Sequence, residues 1–212
     1  MNRRRFTTQL AAVAAVSGLP LAARAQGAPV EGRDYARLAQ PLAMPATGKI
    51  EVVEFFGYWC PHCNSFEPAL DAWARKLPAD VVFRRVPVAF SAPQEPYAKI
   101  YFTLEAMGLL EQMHRKVFAA IHVQRQHLDK DSEILAFMTA NGVDSAKFSE
   151  IYKSFTVASK FKQARQLADA YRIDGVPTIG IHGRFFTSPS LAGGSEQALK
   201  VADQLIQRAR QG

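Results

Sequence analysis

Cys60 and Cys63 are the only cysteines in 212 residues, and just Pro61 and His62 separate them. At that spacing the two sulfurs can close a small disulfide ring or stand open as a dithiol. So short a ring restricts an unfolded chain very little, so crosslinking is a poor reason for the pair to exist. Redox chemistry is a better one. Phe66, Leu70, Trp73 and Leu77 recur at helical spacing and predict a helix that starts at Cys60. Pro61 has no N–H and suits its first turn.

A sulfur at a helix start meets unpaired N–H groups and the positive end of the helix dipole. A thiolate is stabilised there, which predicts a lowered pKa for Cys60. A protonated His62 adds a nearby positive charge. Cys63, one turn further in, is expected to be more buried and to act as the resolving thiol. Stabilising the thiolate favours the dithiol over the disulfide, so the disulfide passes readily to other thiols. The pair therefore reads as an oxidant with Cys60 as the exchanging sulfur.

Other uses of the pair fit less well. No third cysteine is present, and His62, His114, His122, His127 and His182 fall at no recognised zinc spacing with it. No metal ligands are assigned, and the last four histidines are assigned to surface or structural roles. A c-type haem needs histidine directly after the second cysteine, where this chain has Asn64. A dithiol that carries a soft metal such as Cu(I), without enzymatic activity, stays open as an alternative of another class.

Several elements must position the pair. Ile50–Phe56 is a strand candidate that runs through Gly57-Tyr58-Trp59 into Cys60. Pro68 is expected to kink the helix that follows. Val81–Val86 is a second strand, with Pro87 weakening its end. After Phe90 the pattern turns helical, with segments near 97–107, 111–123, 131–141 and 144–155, then a long helix over about 157–171. Asp and Ser are placed at the starts and Gly142 just past an end. Phe90, Tyr97, Phe102, Phe118, Phe137 and Phe148 fall in helical patterns and are expected mostly in the core. Strand signal returns at Thr178–Ile181, turns at His182-Gly183 and pairs back over 184–187, before a last helix from Ser195. The order predicts an α/β fold, a central sheet covered by helices and interrupted by an all-helical subdomain.

Composition agrees with a globular chain: 48% of residues are hydrophobic and 21% charged. No apolar run reaches the ~18 residues that suggest a membrane span. The formal charge of +7 suggests nucleic acid until it is located. Residues 1–25 hold Arg3, Arg4, Arg5 and Arg24 and no acid, which leaves 22 basic against 19 acidic residues beyond them. No nucleic-acid partner is expected. Those first residues run from basic, through the apolar stretch Leu10 to Leu21, to Ala23-Arg24-Ala25, the order of a secretory signal cleaved after Ala25. Arg3-Arg4-Arg5-Phe6 also fits a twin-arginine spacing. Residues 26–48, rich in Ala, Pro and Gly, read as an extended lead-in.

The strand, the Cys-x-x-Cys, the helix and Gly175-Val176-Pro177-Thr178 together resemble the thioredoxin superfamily. Within it, Glu54-Phe55-Phe56, Cys60-Pro61-His62-Cys63, Phe66-Glu67 and the helical insertion resemble the DsbA family of periplasmic thiol:disulfide oxidases over nearly all of residues 45–212. The resemblance implies a thioredoxin-like domain formed by 49–90 and 161–212, with 91–160 as the inserted helical subdomain. It implies a cis Pro177 facing the disulfide, with Val176 offering its backbone to an extended substrate. Glu54 matches a buried acid that helps move the proton of the second cysteine, with Glu67 and Arg85 as electrostatic neighbours. An exposed or salt-bridged Glu54 remains the plainer alternative. Some apolar surface around Trp59 and Pro177 is expected to stay exposed to grip unfolded chains. The expected partners are reduced, unfolded exported proteins and a DsbB-type quinone-linked membrane oxidase. The expected state is a monomer with no tightly bound cofactor. An isomerase or reductase on the same fold, and an oxidase dedicated to few clients, are the alternatives within the class.

Overall fold

The computed structural model describes residues 27–45 and 48–211, so the proposed signal segment lies outside the described residues. Its strands are β1 (Ala36–Arg37), β2 (Ile50–Phe56), β3 (Val81–Pro87), β4 (Thr178–Ile181) and β5 (Phe185–Thr187). They form one mixed sheet in the order β1-β5-β4-β2-β3. β2 and β3 are parallel and joined by helix α1 (Pro61–Ala74), while β4 runs antiparallel to β2 and forms a hairpin with β5. Pro87 does not end the pairing, since it sits opposite Phe56 in register. As the last residue of an edge strand it need not donate to a further neighbour.

Between β3 and β4 the chain is helical: α2 (Glu95–Ala106), α3 (Leu110–His122), α4 (Asp131–Ala140), α5 (Ser145–Tyr152) and α6 (Phe155–Ala170). After β5 come the short α7 (Pro189–Ala192) and α8 (Ser195–Arg210). Asp144 caps α5 by accepting from the Lys147 N–H, as its position predicts. Gly142 follows α4 at a φ of 75°, the left-handed conformation that ends helices and suits a residue without Cβ. The expected run of the fourth helix to Phe155 is not what forms. Ser154 accepts from the Val157 N–H and starts α6 at Phe155 instead. α1 continues across Pro68, and α6 continues across position 160.

Strand alternation sorts the core into two layers. Ile50 and Val52 of β2 face Phe66 and Leu70 of α1, with Leu199, Ala202, Leu205 and Ile206 of α8 beside them. Val53 and Phe55 face the helical block, where Ile100, Leu104, Val117, Phe118, Met138 and Phe148 meet. The lead-in departs from its expected extended form. Arg33 and Asp34 lie in a turn, β1 pairs with β5, and Tyr35 and Leu38 are buried. Arg208 of α8 donates to the Tyr35 hydroxyl at 2.6 Å, which ties this segment down.

Candidate active site

β2 delivers the chain to the site and α1 carries it away. Cys60 stands at the N-cap of α1, with extended backbone, and its carbonyl accepts from the Asn64 N–H at 3.2 Å. The Cys60 N–H closes a turn onto the Gly57 carbonyl at 3.0 Å. Gly57 leaves the space that the Trp59 indole fills, since a Cβ there would overlap the ring. Trp59 donates its N–H to the Val88 carbonyl at 3.2 Å and meets the Phe90 ring edge-on at 6.0 Å between centroids.

The two sulfurs are unlike. Both cysteines are free thiols, and Cys60 keeps 4% of its surface exposed while Cys63 keeps none. A thiol hydrogen bond from Cys63 is the largest influence on Cys60. Burial opposes it, and the backbone N–H groups of Cys63 and His62 and the His62 charge add to it, so Cys60 is brought down to about 6. Burial pushes Cys63 far up, and the neighbouring Cys60 and Glu54 push it further. The helix start therefore contributes to the thiolate at Cys60, but the partner thiol contributes more. His62 is exposed, and Pro61 opens the helix at its first position.

Opposite α1 stands the loop between α6 and β4. The Val176–Pro177 peptide bond is cis. The Val176 carbonyl oxygen lies 3.4 Å from Cys60 Sγ, within reach of its S–H when protonated. Residues 116 apart in the chain are thus brought to one point.

Between β2, β3 and α1 lies a charged cluster with Glu54 and Glu67 buried and Arg85 and Asp71 partly so. Arg85 of β3 donates from Nε and one terminal nitrogen to Glu67 at 3.2 and 3.0 Å, and from that terminal nitrogen to Asp71 at 2.5 Å. Its Nε also lies 3.0 Å from Glu54 Oε2, yet neither Glu54 oxygen has an aligned hydrogen-bond partner. Burial, then the charge of Glu67, raises Glu54 well above the carboxylate range, and Arg85 only partly offsets this. Glu54 is thus a fully buried acid that holds its proton to higher pH than an ordinary carboxyl. Glu67 is buried too, but His114 and Arg85 outweigh that burial and hold it below its ordinary value. The plainer alternative for Glu54 is half met: it is beside Arg85, but it is not exposed.

Two expectations change here. Phe90 is not core: it is 45% exposed, in the loop after β3, because no helix forms around it. It supplies apolar surface of the kind expected near Trp59. The second concerns Tyr58, His114, His122 and Asp71, which sequence reasoning left out of the site. His114 and His122 lie two helical turns apart with Phe118 between them, a spacing that puts all three on one face of α3. That regular stripe was the available signal. Among the described residues, no group of three or more His, Cys, Asp or Glu side chains is arranged to hold a metal ion.

A parallel β-α-β unit with its thiols at the head of the crossover helix, continued by an antiparallel hairpin, defines the thioredoxin class. The comparisons narrow it. A family profile described as DSBA-like thioredoxin domain matches residues 94–203, and the thioredoxin profile matches 42–99. The chain is 42% identical to the thiol:disulfide interchange protein DsbA of Bordetella parapertussis, over 99% of this chain and all of that one. It superposes on the crystal structure of Pseudomonas aeruginosa DsbA with a TM-score of 0.81 at 41% identity, covering 85% of this chain and 94% of that one. The oxidoreductase DsbA of Xylella fastidiosa matches with a TM-score of 0.81 at 33% identity, over 88% of this chain and all of that one. The chain belongs to the DsbA family of thiol:disulfide interchange proteins, and it is a thiol:disulfide oxidoreductase.

Proposed function

We propose that this protein donates its Cys60–Cys63 disulfide to newly exported, reduced proteins in the periplasm. The observation that carries this reading is the asymmetry of the two sulfurs: Cys60, which just reaches the surface, is brought down to about 6, while Cys63 is fully buried and pushed far up. A substrate thiolate attacks Cys60 Sγ in the oxidised protein. The Cys60–Cys63 bond breaks, a mixed disulfide forms, and Cys63 leaves as a thiolate that takes up a proton. The Glu54 carboxyl, whose pKa burial raises, is the proton source for it. A second substrate thiolate then attacks the substrate sulfur of the mixed disulfide and Cys60 leaves as a stabilised thiolate. Two electrons have passed from the substrate dithiol to the pair. Leaving is fast because a low-pKa thiolate is a good leaving group.

Val176 and Pro177 act as the substrate-binding loop, with the backbone beside Cys60 available to an extended peptide. His62 and Pro61 tune and shape the helix start. A DsbB-type membrane oxidase coupled to quinone returns the pair to the disulfide. Export rests on residues 1–25 as a signal cleaved after Ala25. The protein acts in this reading as a monomer. The division into 49–90 with 161–212 and an inserted 91–160 is supported by the helices between β3 and β4, although α6 spans the second boundary.

Equilibration of the pair with glutathione tests this directly. A disulfide that gives itself up to mild reductant is expected, and Cys60→Ser is expected to abolish oxidation of dithiol peptides. A pair as reluctant as that of thioredoxin would make the protein a reductase instead.

A further inference from the structure

We propose that α3 positions the active-site loop through two histidines that grip one residue, Tyr58: His114 holds its phenol and His122 its backbone carbonyl. The inference rests on the oxidase reading above and names two positioning residues that act on Cys60 through Tyr58.

The His122 Nε2 lies 2.7 Å from the Tyr58 carbonyl oxygen. A carbonyl only accepts, so Nε2 carries the proton. The His114 Nδ1 lies 2.7 Å from the Tyr58 hydroxyl, and its Nε2 lies 3.2 Å from Glu67 Oε1. Glu67 Oε1 stands at ion-pair distance from Nε2 without hydrogen-bond alignment, while Nδ1 is at hydrogen-bond distance from the phenol oxygen. The imidazole thus bonds the phenol on one edge and stands beside the Glu67 carboxylate on the other. Phe118, one turn from each histidine, meets the Tyr58 ring edge-on at 4.9 Å and completes the grip. Tyr58 is 1% exposed and His114 is 7% exposed, so neither can reach a substrate.

The location gives the grip its consequence. Tyr58 stands two residues before Cys60, inside the turn closed by the Cys60 N–H on Gly57. Glu67 stands on α1, and its other partner is Arg85 of the charged cluster. Through one face of α3, the helical block is joined both to the loop that presents the reactive sulfur and to the helix that stabilises it. Burying the His114 imidazole and the Tyr58 phenol, and His122 in part, costs desolvation that apolar side chains would avoid. Here both bonds converge on the residue that sets the entry to the N-cap. The groups around His114 are Tyr58, Glu67 and Tyr101, with Phe56 and Phe118. Arg85 reaches it only through Glu67.

The test uses the full-length mature protein carrying His122→Leu, His122→Gln or Tyr58→Phe. Two quantities are read: the ultraviolet titration of the Cys60 thiolate and the equilibrium with glutathione. His122→Leu and Tyr58→Phe should each raise the thiolate midpoint by about half a unit, with about a threefold change of the equilibrium toward a less oxidising pair. His122→Gln, whose amide can donate to the same carbonyl, should restore both. Folded variants that lose thermal stability but keep the parent titration and equilibrium overturn the proposal. Should His122→Leu fail to fold, Tyr58→Phe decides alone, since it removes one oxygen and keeps the ring. A parent protein unable to oxidise dithiol peptides defeats the proposed function. The positioning role is judged separately, on the shift between parent and variant.

Discussion

The layer between α1 and the sheet has two ends that share strands and helix but hold opposite chemistry. Along the β2–β3 register, Ile50 pairs with Val81, Val52 with Phe83 and Glu54 with Arg85. At the first end, Leu70 of α1 and Leu205 of α8 close over an apolar interior. At the other, Glu67 and Asp71, one turn apart on α1, meet Arg85, with Glu54 buried and unaligned. Burying apolar surface stabilises the fold at about 25 cal/mol per Å². A buried ion cluster yields little or no net stability against an apolar replacement of the same volume. The comparison teaches that the charged end is a place where stability is given up, and its Glu54 acts on the Cys63 thiol whose protonation the reaction requires.

Perturbing each end should separate these roles. The largest effect is expected from Leu205→Ala, which opens a cavity at the apolar end. Chemical denaturation should show a loss of about 2–5 kcal/mol, while the thiolate titration of Cys60 stays put. A moved titration would mean that the two ends are not independent. Next comes Glu54→Gln at the charged end. The folded-state pKa of Glu54 lies above its ordinary 4.5, so the native protein keeps a proton that the unfolded chain sheds. Native stability therefore falls as pH rises above about 4.5, until the folded pKa is reached, by about 1.4 kcal/mol for each unit of elevation. Glutamine cannot ionise, so the variant should gain on the parent between acid and neutral pH in denaturation experiments. A constant gap would show that Glu54 is already ionised.

Measured downward from neutral pH, a smaller effect follows from Cys60, whose folded-state pKa is lowered to about 6 from 9. The stability it adds to the reduced protein is complete above about pH 9 and is lost as pH falls through about 6. Melting curves of reduced and oxidised protein should therefore converge on that side of neutrality. The least effect on stability is expected from Phe90→Ser, on the exposed side of Trp59. It should change stability by under about 0.5 kcal/mol and yet raise the KM for an unfolded client. An unchanged KM would remove Phe90 from the client surface.

Much of the scaffold was legible because its signals are local. The apolar run over 50–56 and the short run over 178–181 formed strands with the expected ends. Helical periodicity placed α1 and α8, and Asp144 and Gly142 punctuated the helical block as their chemistry requires. The misread positions share one physical feature. β1 is two residues long and exists because β5 offers it an edge, and α7 is a single turn beyond the reach of periodicity. Phe90 was misread because an apolar residue at helical spacing looks the same whether or not a helix forms. His114 and His122 gave a regular stripe, but a stripe does not reveal what it faces.

The amino-acid order by itself determined where the thiols stand, that a helix begins at the first of them, and which family the chain resembles. Spacing, periodicity and capping act over a few residues, so they can be read without a partner. Only the tertiary structure decided how unequal the two sulfurs are, that Glu54 is buried beside Arg85 with its pKa raised, and that α3 reaches across to Tyr58. Desolvation and charge pairing depend on neighbours that meet only when β2, β3, α1 and α3 pack together, and that packing leaves no mark in any short stretch of chain.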